Sequence, residues 1–210
     1  MARDTHSIVK MSRREGYALH PKAHKALVKR SSLPGQTSSR RGGPGGRNKG
    51  SQYSLQLREK QKVKRTYGLL ERQFSNLMKE ASRSHGQSGQ LLLEYLERRL
   101  DNAVYRAGFA PSRRAARQLV THGHFMLNGR RVDIPSIRLS AGDEIVVRDH
   151  SKNTEYFKKL DEVSPAANEQ ALSWLTINRK KLTFKVTGVP ARDEAEPEIN
   201  EQLIVEYYSR

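Results

Sequence analysis

The sequence predicts an α+β protein: a helical domain, a mixed helix and antiparallel-sheet domain, and an extended basic N-terminal arm. Three observations carry that prediction. Between residues 63 and 107 the apolar positions recur at steps of three and four, the period of a helix. Beyond residue 124 they give way to short β-branched and aromatic runs punctuated by Asn128-Gly129, which is strand and hairpin chemistry. Charge is also uneven: residues 1–65 hold 17 Lys and Arg against 3 Asp and Glu, whereas residues 66–210 hold 22 against 19.

The arm is assigned to residues 1–52. Residues 1–30 are polar and basic, with a weak helical pattern over His20–Arg30 that begins near Pro21. Residues 31–51 read SSLPGQTSSRRGGPGGRNKGS and have almost nothing to bury. Such a segment cannot offset the entropy of ordering by itself, so it is expected to be extended until it binds. Few core residues lie in the arm on this reading, and deleting residues 1–50 is expected to leave a folded protein.

The helical domain is assigned to residues 53–95, completed by residues 190–210. Val63, Tyr67, Leu70, Phe74, Leu77 and Ala81 form one stripe, which predicts a single helix. SRSHGQSGQ (82–90) breaks the pattern. A second helix carries Leu92, Leu96, Leu100 and Val104 and stops around Gly108, since Pro111 follows. The mixed domain spans residues 96–189. Ser112 is the expected N-cap of a short helix ending near Thr121, with Ala115, Ala116, Leu119 and Val120 inward. Phe125–Leu127 and Arg131–Ile134 flank the hairpin turn, and Ser140–Asp143 turns into a strand at Glu144–Arg148. Trp174–Ile177, Leu182–Val186 and Leu203–Tyr207 are further expected strands, and residues 152–169 are expected to be helical.

Composition narrows function. The 210 residues carry 39 Lys and Arg against 22 Asp and Glu, a formal net charge of +17. The pI is near 10.3, only 35% of residues are hydrophobic, and mean hydropathy is −0.80. A surplus this large repels itself in the compact state and is expected to be kept because a polyanion neutralises it. There is no cysteine, so disulfides and thiolate metal sites are excluded. No stretch approaches the roughly 20 apolar residues of a membrane span, and the first residues lack the apolar core of a signal peptide. A soluble cytoplasmic protein is expected.

The densest candidate site lies between residues 96 and 150. Arg113, Arg114 and Arg117 share a helix with Gln118 and Thr121, and His124, Asn128, Arg130 and Arg131 follow in the hairpin. Forked guanidinium donors suit phosphate, while amides and hydroxyls suit sugars and base edges. Upstream, Arg58, Lys60, Lys62, Lys64 and Arg65 crowd one helix.

The run LLEYLERRLDNAVYRAGFAPSRRAARQLVTHGHFMLNGRRVDIPSIRLSAGDEIVVRD resembles the RNA-binding module named after ribosomal small-subunit protein four, at about residues 98–160. Its flanks resemble the same bacterial family. Ser12-Arg13-Arg14-Glu15-Gly16, Pro34-Gly35-Gln36, LQLREKQKVKRTYGLLERQF (55–74) and Ile199–Glu206 carry that likeness, which covers nearly the whole chain. The resemblance implies a structural constituent of the small ribosomal subunit, not an enzyme. It would bind the five-helix junction of the 5′ domain of 16S rRNA, nucleate assembly of the 30S body and influence translational accuracy. Ribosomal small-subunit protein five and mRNA at the entry channel are the other implied partners; no membrane and no homo-oligomer is expected. By the match, Arg99, Ser112, Arg113, Arg114, Arg117, Gln118, Thr121, His124, Asn128 and Arg130 face rRNA, and Arg47 and Lys49 approach mRNA. Arg13, Arg14, Arg131 and the Arg58–Arg65 series are added as rRNA contacts on their charge.

One departure concerns metal. Some members of the family carry N-terminal cysteines that hold zinc, and this chain has none. His20 and His24 have metal-like spacing with His6 nearby, but the ligand set is incomplete without Cys or a carboxylate cluster. No metal or cofactor is expected, so RNA would have to order the arm.

Other functions fit less well. Arg99-Leu100-Asp101 resembles the signature around the catalytic aspartate of pseudouridine synthases, but too little chain follows for their catalytic domain. Asp101 is instead expected to pair locally with Arg98, three residues away on a helix. GGPGGRNKGS lacks the Gly-Lys-Ser/Thr order and leading strand of a phosphate loop. Membrane-surface binding would need the 63–81 stripe open to lipid, whereas its residues suit a core.

Overall fold

The computed structural model describes residues 4–30, 32–35, 51–164, 172–196 and 198–209. The chain is α+β and divides into two compact units, Met1–Gly89 with Glu198–Arg210, and Gln90–Pro197.

The first unit is helical. It contains α1 (Ile8–Glu15), α2 (Pro21–Lys29), α3 (Gln52–Thr66), α4 (Glu71–Arg83) and, from the far end of the chain, α11 (Glu201–Tyr208). α1 packs on α2 and α3, and α11 packs on α3. Residues 8–29 are therefore not an extended arm: Met11, Leu19 and Ala23 are buried core residues. That burial speaks against the expectation that residues 1–50 are dispensable. The glycine-rich stretch 36–50 lies outside the described residues.

The 63–81 stripe is real, since Val63, Tyr67, Phe74 and Ala81 are all buried, but it belongs to two helices. Gly68 adopts a left-handed φ of 66°, and the Leu69 N–H reaches back to the Lys64 carbonyl at 2.9 Å. That pattern closes α3 in a glycine-capped turn. Leu203–Tyr207, expected as a strand, is helical. The Asn200 side chain caps α11 by accepting from the N–H groups of Gln202 and Leu203, and Ile204 is fully buried. Tertiary burial and a cap override the β-propensity of an Ile-Val-Tyr-rich segment.

The second unit is mixed. α5 (Ser88–Glu97) runs into it and is followed by α6 (Leu100–Arg106) and α7 (Arg113–Thr121). Five antiparallel strands come next: β1 (Phe125–Leu127), β2 (Arg130–Val132), β3 (Glu144–Val147), β4 (Leu175–Asn178) and β5 (Thr183–Val186). Among the described residues, three one-turn helices, α8 (Asp149–Lys152), α9 (Glu155–Lys158) and α10 (Leu160–Val163), lie between β3 and β4. Strand order is β2-β1-β3-β5-β4. The register pairs Phe125 with both Val132 and Val147, and Val146 with Thr183. Side chains alternate as the pleat requires: Ile145 and Val147 are buried on β3, Phe184 and Val186 on β5, and Lys185 is exposed.

The core of this unit joins Leu100, Val104, Phe109, Val120, Phe125 and Phe184. Phe109 lies 5.7 Å from Phe184 and meets Phe125 edge-on at 6.3 Å between centroids. The spacing predicts one helix from Leu92 to Val104 and beyond, but the chain breaks at Arg98-Arg99. There the backbone pairs instead with the segment after the hairpin. The Leu100 N–H donates to the Ile137 carbonyl at 2.8 Å and the Leu139 N–H to the Arg98 carbonyl at 2.9 Å. Among the described residues no helix is long and apolar enough to cross a membrane.

Candidate nucleic-acid interface

The site begins with a cap. Ser112 is extended, and its Oγ accepts from the Ala115 N–H at 3.2 Å, starting α7 at the expected residue. Ala116 and Val120 then face the core. On the opposite face Arg114, Gln118 and Thr121, at steps of four and three, are exposed.

The flank between these faces is occupied differently from what charge alone suggests. Arg117 donates from Nε to Asp101 Oδ2 at 2.9 Å, and Arg99 donates to the same carboxylate from Nε and Nη2, both at 3.1 Å. Asp101 and Arg99 are buried, and Asp101 Oδ1 also accepts the Asn102 N–H. Arg113 donates to Asn102 Oδ1 at 2.8 Å and to Glu196 at 2.7 Å, with its guanidinium 4.7 Å from the Tyr105 ring centroid. Buried Glu97 receives Arg106 and Asn102. Asp101 does not pair with Arg98, which bridges Glu94 at 2.7 Å instead. Three arginines assigned to the rRNA face are therefore tied to carboxylates of the chain itself.

The hairpin adds exposed cations. Asn128 (φ 49°) and Gly129 (φ 80°) make the turn, and Arg130 and Arg131 stand exposed on the edge strand β2. Asn128 is exposed but engaged: its amide donates to Asp143 at 2.8 Å and its Oδ1 accepts the Glu144 N–H at 2.9 Å, locking hairpin to β3. Arg131 reaches back to the end of α7, where a methyl group on Gly123 would sit 2.7 Å from its Nε. His124 is half-buried, with Nδ1 2.9 Å from Ser151 Oγ. Burial first, then the positive fields of His122, Arg148 and His150, hold its pKa below the ordinary imidazole value.

In the first unit the predicted basic residues mostly have internal partners. Arg58 and Arg65 both bind the buried Glu15 carboxylate. Burial pushes that carboxyl above its ordinary range against the pull of the two arginines. Lys60, itself buried, pairs with Glu71 at 2.6 Å and lies 4.4 Å from the Tyr207 ring centroid. Lys64 shares Glu71, and Lys62 pairs with Glu59 at 2.9 Å. Arg13 donates to the Ser32 carbonyl at 2.9–3.0 Å, whereas Arg14 is exposed. The acids that claim these cations are mostly distant in sequence, so only the Glu59–Lys62 spacing could have signalled them.

Arg47 and Lys49 lie outside the described residues. His20 caps α2 through Nδ1 and His6 pairs with Asp4. Among the described residues no group of three or more His, Cys, Asp or Glu is placed to hold a metal ion.

Residues 98–145 match the S4 domain family, and residues 3–97 match the ribosomal protein S4/S9 N-terminal domain. Over the full length of both chains the sequence is 50% identical to small ribosomal subunit protein uS4 of Clostridioides difficile. It is 48% identical to the protein of that name from Roseiflexus castenholzii and 46% to that from Chlorobaculum tepidum, again over both whole chains.

Proposed function

The chain belongs to the family of small ribosomal subunit protein uS4, and from that premise we propose that it acts by holding ribosomal RNA on the outer face of α7 and the hairpin. Family membership makes it a structural component of the small ribosomal subunit in the cytoplasm, not an enzyme. The observation that carries the RNA reading is the division of labour on α7. Arg114, Gln118 and Thr121 point outward, while Arg113 and Arg117 are fastened to Glu196 and Asp101 and fix the helix behind them.

Arg130 and Arg131 extend the outward face, and Arg14 offers a separate exposed cation on α1. Arg13, Arg58, Lys60, Lys62, Lys64, Arg65, Arg99, Arg113 and Arg117 would reach RNA only by exchanging an internal partner, so we assign them chiefly to positioning. Ser112, Asn128 and His124 hold the cap, the turn and the sheet end. Specificity would come from the shape of folded RNA, because A-form grooves hide base edges. The resemblance supports a finer reading: the five-helix junction of the 16S 5′ domain as target, early assembly of the 30S body, influence on accuracy, contact with protein five, and Arg47 and Lys49 toward mRNA at the entry channel.

The pseudouridine-synthase alternative needs Asp101 open to a nucleotide. Two guanidiniums and a backbone N–H occupy that carboxylate, which is 4% exposed. The test is binding of a 5′-domain rRNA transcript to the full chain and to R114A/R130A/R131A. Equal affinity at unchanged fold would remove this face from the function.

A further inference from the structure

We infer that the end of the sheet where β1 and β3 meet α7 and α8 is a second phosphate-binding surface, formed by His122, His124, Arg148 and His150, whose occupation by an RNA backbone takes up protons. This rests on the RNA-binding reading above and deepens it.

Backbone and side chains converge there. The Arg148 N–H donates to the His124 carbonyl at 2.9 Å, and Arg148 Nη1 donates to the Gly123 carbonyl at 3.1 Å. The His122 and His124 ring centroids are 6.1 Å apart. Arg131 arrives from β2 against Gly123. The β4–β5 turn comes to the same end, because the Val147 N–H donates to the Leu182 carbonyl at 3.0 Å. That turn carries exposed Lys180 and Lys181.

Among the described residues, opposing charge comes from three carboxylates, of which exposed Asp133 follows Val132, the register partner of Phe125. On α8, Asp149 is held by Lys152 at 2.7 Å. On α9, whose Phe157 ring lies 5.8 Å from His124, Glu155 and Lys158 are both exposed. His122 and His150 are exposed as well. Three imidazoles, two guanidiniums and the turn lysines therefore share one end of the sheet with Asp133, Glu155 and an Asp149 already paired with Lys152.

Such a surface has a charge that depends on pH, because imidazole titrates close to neutrality. In the free protein burial first, and then the positive fields of His122, Arg148 and His150, disfavour a proton on His124. A bound phosphate supplies the missing negative charge and favours that proton. Linkage then requires affinity to rise as pH falls.

The probe is a transcript of the 5′ domain of small-subunit rRNA, titrated with the full chain at fixed ionic strength between about pH 7.5 and about pH 6. The wild type is expected to tighten roughly tenfold across that range, the effect of about one proton taken up. H124Q, which removes the ring argued to take the proton, is expected to lose most of that rise. H122Q/H150Q, changed only at exposed positions, tests the surface around it and is expected to bind more weakly than wild type. Titration of the RNA is common to all three proteins, so the difference between their pH slopes is the readout. Equal slopes in wild type and both variants, or affinity falling with pH, would overturn the inference. Failure to bind RNA at any pH would instead overturn the RNA-binding reading itself.

Discussion

Arg117 on α7 reaches across to Asp101 on α6, placing its Nε 2.9 Å from a carboxylate that Arg99 already holds from the other side. The contact pins the helix bearing the exposed polar stripe to the helix before it. Asp101 and Arg99 are buried, so the carboxylate serves as the shared counter-charge of two guanidiniums.

Removing that counter-charge should be costly. D101N keeps the side-chain shape but leaves Arg99 buried without its carboxylate and Arg117 without its anchor. Breaking one member of a buried ion pair costs about 3–5 kcal/mol. Urea unfolding of D101N is expected to show a loss of that order. A midpoint equal to wild type would mean that Asp101 is not what holds α6 to α7.

These contacts mark the limit of what the sequence discloses. The Ser112 cap, the Asn128-Gly129 turn and the central strands are legible because each depends on a few adjacent residues and a local period. The outward stripe is legible for the same reason, as Arg114, Gln118 and Thr121 are set by helical spacing alone. Whether an arginine is available is decided elsewhere in the chain: Glu196 claims Arg113 and Glu15 claims Arg58 and Arg65. Helix ends are hidden similarly. The break after Arg98 exists because residues 135–139 offer it backbone partners, and periodicity carries no trace of that pairing.

The N-terminal helices should matter for folding as well as for binding. Deleting residues 1–50 removes buried Met11 and Leu19, each worth about 1.5–3 kcal/mol of burial. It also strips Glu15 from Arg58 and Arg65. Thermal melting followed by circular dichroism is expected to show a clearly lowered midpoint. An unshifted midpoint would return these residues to the status of a dispensable arm.

Acid should weaken the first unit through Glu71. Burial alone would raise its pKa, but hydrogen bonds from Lys60, Tyr208 and Lys64 together with the Lys60 charge hold it below 4.5. A carboxylate depressed in the fold contributes stability that is present above its unfolded pKa and lost as pH falls through the folded one. Wild type should therefore lose stability more steeply than E71Q below about pH 4.5. Parallel curves of unfolding free energy against pH would show that the fold does not favour the ionised form of Glu71.

Salt separates arginines that touch RNA from arginines that build the surface. Each phosphate neutralised on a nucleic acid contributes roughly 0.7 (single strand) to 0.9 (B-form duplex) to the slope of log affinity against log salt, by counterion release. If Arg114, Arg130 and Arg131 each meet a phosphate, R114A/R130A/R131A should flatten that slope by about 2–3. Its unfolding midpoint should hardly move, because all three side chains lie on the exposed face. R113A should behave oppositely. It removes the guanidinium from Asn102 Oδ1 and Glu196, so stability should fall by about 1–3 kcal/mol while the salt slope measured on folded protein changes little. A triple variant with the wild-type slope, or an R113A that loses slope but not stability, would exchange the roles assigned to the two faces of α7.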